Sequence, residues 1–271
     1  METRKIIVNS NCYHGYSLKE AAEGIAQAGF HHIELTATKG WTEHVFPTMS
    51  FQDLLEKREL LRDYGLAVPA MSGHCNLMDP ERIPDFVRNI HLARFFGADT
   101  IVSSVGEAHL KDLQEGGTDE VVKHIRSFLP ILEDYGMTLV LETHGAYGTA
   151  ARLAPIVDGV ASSHLAICYD TGNVIFYGDV KDTSDLESQI DHVRYFHLKD
   201  KAGKRREWNF PALGEGYVDF PAIFSLLEKY HNTSPFSIEI EFTQNGPRSL
   251  GAVDNAVALS GRYLTSHGFT L

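Results

Sequence analysis

The sequence predicts an α/β protein, a single (β/α)8 TIM barrel spanning residues 1–271, on three observations. Eight short apolar runs alternate with eight helical patterns. The runs are apolar on both faces, as strands are in a parallel sheet covered by helices. No linker or low-complexity stretch divides the 271 residues, a length that one closed barrel commonly occupies.

The elements follow in order. Lys5–Val8 is the first strand, and Ser17 caps a helix carrying Glu20, Ala21, Ala22, Ile25 and Ala28 that stops at Gly29. The strand His31–Leu35 precedes a helix over Phe51–Tyr64, and the strand Leu66–Met71 one over Ile83–Phe96. Gly65 and Gly97 follow these helices as C-caps. Thr100–Val105 leads to a helix over Asp119–Tyr135, in which Pro130 is expected to make a kink or a break. Thr138–Leu141 pairs with Thr149–Val160, and Leu165–Tyr169 with a short helix at Asp185–Asp191. Val193–Leu198 precedes Phe220–Tyr230, and Phe236–Ile240 precedes Gly251–Ser266. Such alternation predicts right-handed βαβ units. A doubly wound open sheet competes, but Asn9-Ser10-Asn11-Cys12-Tyr13 stands where its glycine-rich phosphate loop belongs.

Composition narrows the function. Against 24 basic residues stand 36 acidic ones, a net charge of −12, which argues against a nucleic-acid or anionic-membrane partner. Cys12, Cys75 and Cys168 are far apart with no CxxC pair, and read as buried thiols. The first residues do not fit a signal peptide, and no apolar run is long enough to span a membrane. A cytoplasmic location is the expectation.

Chemistry is concentrated where the last four strands end. Thr138–Glu142 ends in a glutamate, Leu165–Asp170 in an aspartate, Tyr195–His197 in a histidine and Phe236–Glu239 in a glutamate. Any one alone reads as a rim residue in a salt bridge. Together they bring three carboxylates and an imidazole to the carboxyl end of a barrel, where the carboxylates repel unless a cation neutralises them. Glu142, Asp170, His197 and Glu239 are therefore the candidate ligands of one divalent ion, Mn²⁺, Mg²⁺, Co²⁺ or Zn²⁺. Glu241 shares a face with Glu239 but lies one layer higher, as a rim residue or supporting base.

Other rim residues are candidates for substrate contact. His74 follows the third strand beside Gly73, and Glu107 lies in the loop after the fourth. His144 is two residues past Glu142; Lys199, two past His197, is placed to hold a developing oxyanion or a hydroxyl. Asp200 is expected to support the loop or orient a ligand. Trp41 and Phe46 are placed to wall a sugar-sized pocket or to pack down their own loop, and Arg205 and Arg206 to grip an anion or to lie solvated.

The motifs Leu139-Val-Leu-Glu-Thr-His144, Cys168-Tyr-Asp-Thr-Gly-Asn173, Phe196-His-Leu-Lys-Asp200, Leu213-Gly-Glu-Gly-Tyr-Val-Asp219 and Ser237-Ile-Glu-Ile-Glu241 resemble the xylose isomerase-like TIM-barrel superfamily, in its sugar phosphate isomerase/epimerase branch. The resemblance implies one divalent metal, usually manganese, on Glu142, Asp170, His197 and Glu239. It also makes Glu142 and Glu239 the acid and base on opposite faces of the substrate. It implies a metal-dependent isomerase or epimerase of carbohydrate metabolism, acting on a small keto-sugar or sugar phosphate through an enediolate, and a homodimer or homotetramer. Asn173 stands where several epimerases carry a histidine that touches substrate.

Two other activities are similar to this family. A dehydratase of an inositol-type ketone starts with the same α-proton removal and then expels a β-hydroxyl. An endonuclease-IV-like phosphodiesterase needs three zinc ions with extra histidines and a basic groove. Ser103-Ser-Val-Gly106 and Thr171-Gly-Asn173 lack those histidines, and the acidic balance opposes the groove.

Overall fold

A computed structural model describes residues 4–106 and 117–271. Its strands are β1 (Ile6–Asn9), β2 (His32–Thr36), β3 (Ala67–Ser72), β4 (Thr100–Ser103), β5 (Thr138–Glu142), β6 (Leu165–Asp170), β7 (Val193–Leu198), β8 (Asn209–Phe210), β9 (Phe236–Ile238) and β10 (Phe242–Thr243). β1 to β7 and β9 are parallel neighbours in that order, and β9 returns to β1 through Ile6↔Phe236 and Val8↔Ile238. The barrel is closed. β8 and β10 form a separate antiparallel ribbon in which Phe210 faces Phe242.

The helices are α1 (Leu18–Gln27), α2 (Phe51–Asp63), α3 (Ile83–Phe96), α4 (Thr118–Tyr135), α5 (Ala150–Val160), α6 (Asn173–Phe176), α7 (Ser184–Ser188), α8 (Phe220–Lys229) and α9 (Leu250–Ser266). Ser17 accepts from the Glu20 amide while the Glu20 side chain accepts from the Ser17 amide, a closed capping box for α1. Gly97 and Gly136 end α3 and α4 at φ of 88° and 60°, where a side chain would be strained. Pro130 does not divide α4 into two pieces, the second of the two outcomes expected for it. Its missing amide costs about 3 kcal/mol, and burial of Val121, Ile125, Phe128 and Leu132 on one face outweighs that loss. The crossover from β6 to β7 also departs from expectation: α6, α7 and a 3-10 turn at Ile190–His192 replace a single short helix.

Ile7, Ala70, Val102, Val140, Ala166, Cys168 and Tyr195 form the cluster inside the barrel. The larger core, including Val8, Ile33, Leu35, Ile101, Leu139 and Phe196, joins the outer face of the strands to the helices. Period-two alternation sends one set of side chains to each. Among the described residues no helix is long and apolar enough to cross a membrane.

Candidate active site

The barrel register brings the candidate ligands to one mouth. Glu142 lies opposite Cys168, and Asp170 opposite His197, with the stagger that tilted strands require. Glu239 comes just past β9, its amide bonded to the Leu198 carbonyl at 3.0 Å, so it continues the barrel register. Glu142, Asp170, His197 and Glu239 are all buried, and each offers a ligand atom within 4.8 Å of the others. Donors bound to a small divalent ion at about 2.1 Å lie no more than about 4.2 Å apart, so a slight contraction would close the set.

Individual contacts show what the cluster lacks. His197 Nδ1 is 2.7 Å from Glu142 Oε1 and 3.3 Å from Glu239 Oε2. Asp170 Oδ1 accepts from the amides of Gly172 at 2.9 Å and Asn173 at 2.7 Å. Asp170 Oδ2 and Glu239 Oε2 are buried and have no backbone donor. The Lys199 ammonium sits 3.1 Å from the first and 3.0 Å from the second, and 3.1 Å from Glu241 Oε2. Buried acceptors of this kind are costly unless a cation meets them, and here three of them share one ammonium. Three carboxylates and one imidazole form a donor set that fits a hard or borderline divalent ion.

Titration behaviour agrees with a shortage of positive charge. Burial opposes ionisation of Glu142, yet the hydrogen bond from His197 and the charges of His197 and His74 bring its carboxyl down to about 2. Burial likewise opposes Glu239, and Lys199 and His197 hold it well below its ordinary value. Asp170 is pushed well up by burial, with Glu142 and Glu239 adding to the effect against Lys199. Burial, with help from Glu239, raises Glu241 to about 7. Two cationic groups, Lys199 and His197, thus face four buried acids.

The remaining candidates surround this centre unevenly. The His74 Nδ1 accepts the Ser104 amide at 2.9 Å, which leaves Nε2 facing Glu142 Oε2 at 3.8 Å. Asn173 is buried, with Oδ1 3.4 Å from Lys199 Nζ and an Nδ2 that makes no hydrogen bond. His144 is half-buried against Tyr177, whose hydroxyl lies 3.3 Å from its Nε2, and burial lowers its imidazole to about 4. Trp41 stands one residue away from the carboxylates. Its Nε1–H donates to Asn11 Oδ1 at 2.9 Å, and Asn11 Nδ2 donates to Glu239 Oε1 at 3.1 Å and Glu241 Oε1 at 3.3 Å. Glu107 lies outside the described residues.

Neighbouring groups hold the mouth in shape. Asp200 accepts the amides of Gly214 and Gly216 at 2.8 Å each and Val218 at 3.2 Å, pinning the loop before α8. A Cβ on Gly216 would fall 2.3 Å from Asp200 Oδ1, so the close approach requires glycine. The Glu241 side chain, 6% exposed, is buried against Lys199 deeper than a rim position. Two residues with no role assigned from the sequence also belong here, Asn11 and Glu34. Glu34 is an acid inside the apolar run His31–Leu35, and an acid in such a run is itself a signal, since a buried carboxylate must find a partner.

Comparisons with known proteins fit this architecture. The model of the family described as xylose isomerase-like TIM barrel matches residues 22–259. The 3-oxo-isoapionate decarboxylase of Pectobacterium atrosepticum is 32% identical over 111 residues, 39% of this chain and 40% of that protein. The inosose dehydratase of Clostridium beijerinckii is 26% identical over 130 residues, 41% of this chain and 43% of that protein. The chain thus aligns with about two fifths of the length of these curated relatives. The crystal structure of a D-allulose 3-epimerase from Methylomonas sp. superposes with a TM-score of 0.74 over 97% of this chain and 98% of that one, at 17% identity. At that identity the likeness is one of fold.

Proposed function

The chain belongs to the xylose isomerase-like TIM barrel family, and on that premise we propose that it is a divalent-metal-dependent isomerase or epimerase of a small keto-sugar or sugar phosphate. The observation that carries the proposal is the buried group Glu142, Asp170, His197 and Glu239, in which two carboxylate oxygens share one ammonium as counter-charge. Manganese suits this donor set, as do magnesium, cobalt and zinc.

A divalent ion held there supplies charge stabilisation as the proton next to a substrate carbonyl leaves. The protein's own groups do the rest. Glu142 and Glu239 come from β5 and the end of β9, the two outer strands of the four-strand arc, so they flank whatever lies between them. One carboxylate takes the α-proton and the other returns a proton from the far side. Return to the same carbon inverts it, and return to the neighbouring carbon isomerises the sugar. Lys199 and His74 hold the substrate oxygens, and Trp41 walls the pocket. Acid–base help of this kind contributes about 10²–10⁴-fold to a rate.

Dehydration of a polyol-derived ketone is the second reading. The likeness to inosose dehydratase favours it, as does the Lys199–Glu241 pair at 3.1 Å, which adds a proton donor beside the site for a departing hydroxyl. Incubating candidate ketoses in D₂O with Mn²⁺ and following the α-proton by ¹H NMR tests both. Deuterium at the α-carbon of recovered sugar is expected for the leading proposal. Loss of water with a new ultraviolet chromophore would replace it with the second, and no exchange with any ketose would reject both.

A further inference from the structure

Glu34 lies on β2 with its side chain wholly buried, and each of its near polar neighbours can give it a proton. The Tyr195 hydroxyl donates to Oε2 at 2.9 Å, and Asn9 Nδ2 donates to Oε1 at 3.2 Å. The amide of Asn9 cannot be turned round without loss, because its Oδ1 already accepts from Thr36 Oγ1 and the Asn11 amide, both at 2.9 Å. The third neighbour is His197, whose Nε2 is 3.1 Å from Oε1 and 3.2 Å from Oε2.

A carboxylate facing Nε2 requires the proton to be on that nitrogen. On the opposite side of the ring Nδ1 is hydrogen-bonded to Glu142 Oε1 at 2.7 Å and lies 3.3 Å from Glu239 Oε2. A divalent ion bound there would replace the proton on Nδ1, while Glu34 keeps the other proton on Nε2. We propose that Glu34 is a positioning residue for the metal centre: it fixes the Nε2–H tautomer and the ring plane of His197, so that Nδ1 is presented as a ligand. Tyr195 and Asn9 hold Glu34 in place and make the device rigid before any ion arrives. The arrangement extends the centre across the barrel, from β7 to β2 and β1. An outer-sphere carboxylate of this kind commonly sets metal affinity by about 10–100-fold.

This inference rests on the metal reading, and the experiment separates the two. Mn²⁺ binding is measured by equilibrium dialysis for the wild type, Glu34→Gln and Tyr195→Phe, with folding checked by circular dichroism. Glu34→Gln is expected to weaken binding about 10–100-fold, and Tyr195→Phe about three- to tenfold, with the fold unchanged. Because a merely structural role would not move the imidazole proton, ¹⁵N-histidine NMR of the Mg²⁺-loaded protein supplies a second readout, with His197→Gln used for assignment. The wild type is expected to show the Nε2–H form at His197, and Glu34→Gln a mixture of tautomers. Should Glu34→Gln not fold, Tyr195→Phe decides, and unchanged affinity in it overturns the proposal. Wild-type affinity in a folded Glu34→Gln, or an Nδ1–H wild type, overturns this inference alone. A wild type that binds no divalent ion overturns the metal reading as well.

Discussion

The ammonium of Lys199 lies 3.0 Å from Oε2 of Glu239, in a site where both side chains are almost wholly buried. The same nitrogen reaches Asp170 and Glu241 at 3.1 Å, so one lysine links three acids on two strand ends. Despite burial, the surrounding carboxylates of Asp170, Glu239 and Glu241 hold it protonated well beyond its ordinary range.

Lys199→Met leaves those acids without their counter-charge. In metal-free protein it is expected to cost about 3–5 kcal/mol, the usual loss when one partner of a buried pair is removed. Added Mn²⁺ should recover part of that loss by supplying the positive charge. Urea unfolding with and without the ion measures both, and a loss of stability that Mn²⁺ leaves unchanged would contradict the shared electrostatic role.

Glu142→Gln and Glu239→Gln keep shape and volume but remove a proton acceptor. Each is expected to slow α-proton exchange at least about 100-fold, with Lys199→Met slowing it less. ¹H NMR in D₂O at saturating metal provides the rates, and near-normal exchange in either glutamine variant refutes the two-carboxylate mechanism.

Removing the ion with a chelator should abolish exchange and lower thermal stability together. An ion present at a hundred times its dissociation constant stabilises the folded state by about 2.7 kcal/mol. Scanning calorimetry before and after chelation, followed by readdition of Mn²⁺, checks the linkage. A melting temperature indifferent to the ion would count against a bound metal.

His44 gives a pH dependence separate from the candidate site. Its Nε2 donates to the Tyr16 carbonyl at 3.0 Å, and burial lowers its imidazole from 6.5 to about 4. Between those values the unfolded chain binds the extra proton, so stability is complete above about pH 6.5 and falls as pH drops toward 4. The slope approaches about 1.4 kcal/mol per pH unit. Chemical denaturation at several pH values should show a shallower decline for His44→Gln, whereas parallel curves would place the effect elsewhere.

Much of the barrel is legible in the sequence because parallel strands are buried on both faces and helices on one. Val193–Leu198 and Ile83–Phe96 carry those two patterns to their ends. The grouping of Glu142, Asp170, His197 and Glu239 is legible too, since each closes an apolar run. What is not legible depends on contacts between distant strands. Glu34 sits inside a run, 163 positions from His197, and only barrel closure shows that they touch. Asn11 lies in a short 3-10 turn whose register to Glu239 no local pattern encodes. Pro130 shows the converse, a strong local signal overruled by packing.

The ribbon of β8 and β10 ties the segment after Lys199 to the segment after Glu241 through Phe210 and Phe242. These two sides of the cleft are joined edge to edge, while Trp41 comes from the loop after β2 and is tied to Asn11 in the turn after β1. If the proposed sugar reading holds, reshaping the cleft for a bulkier substrate calls for matched exchanges on the joined side, but a single exchange suffices at the tryptophan.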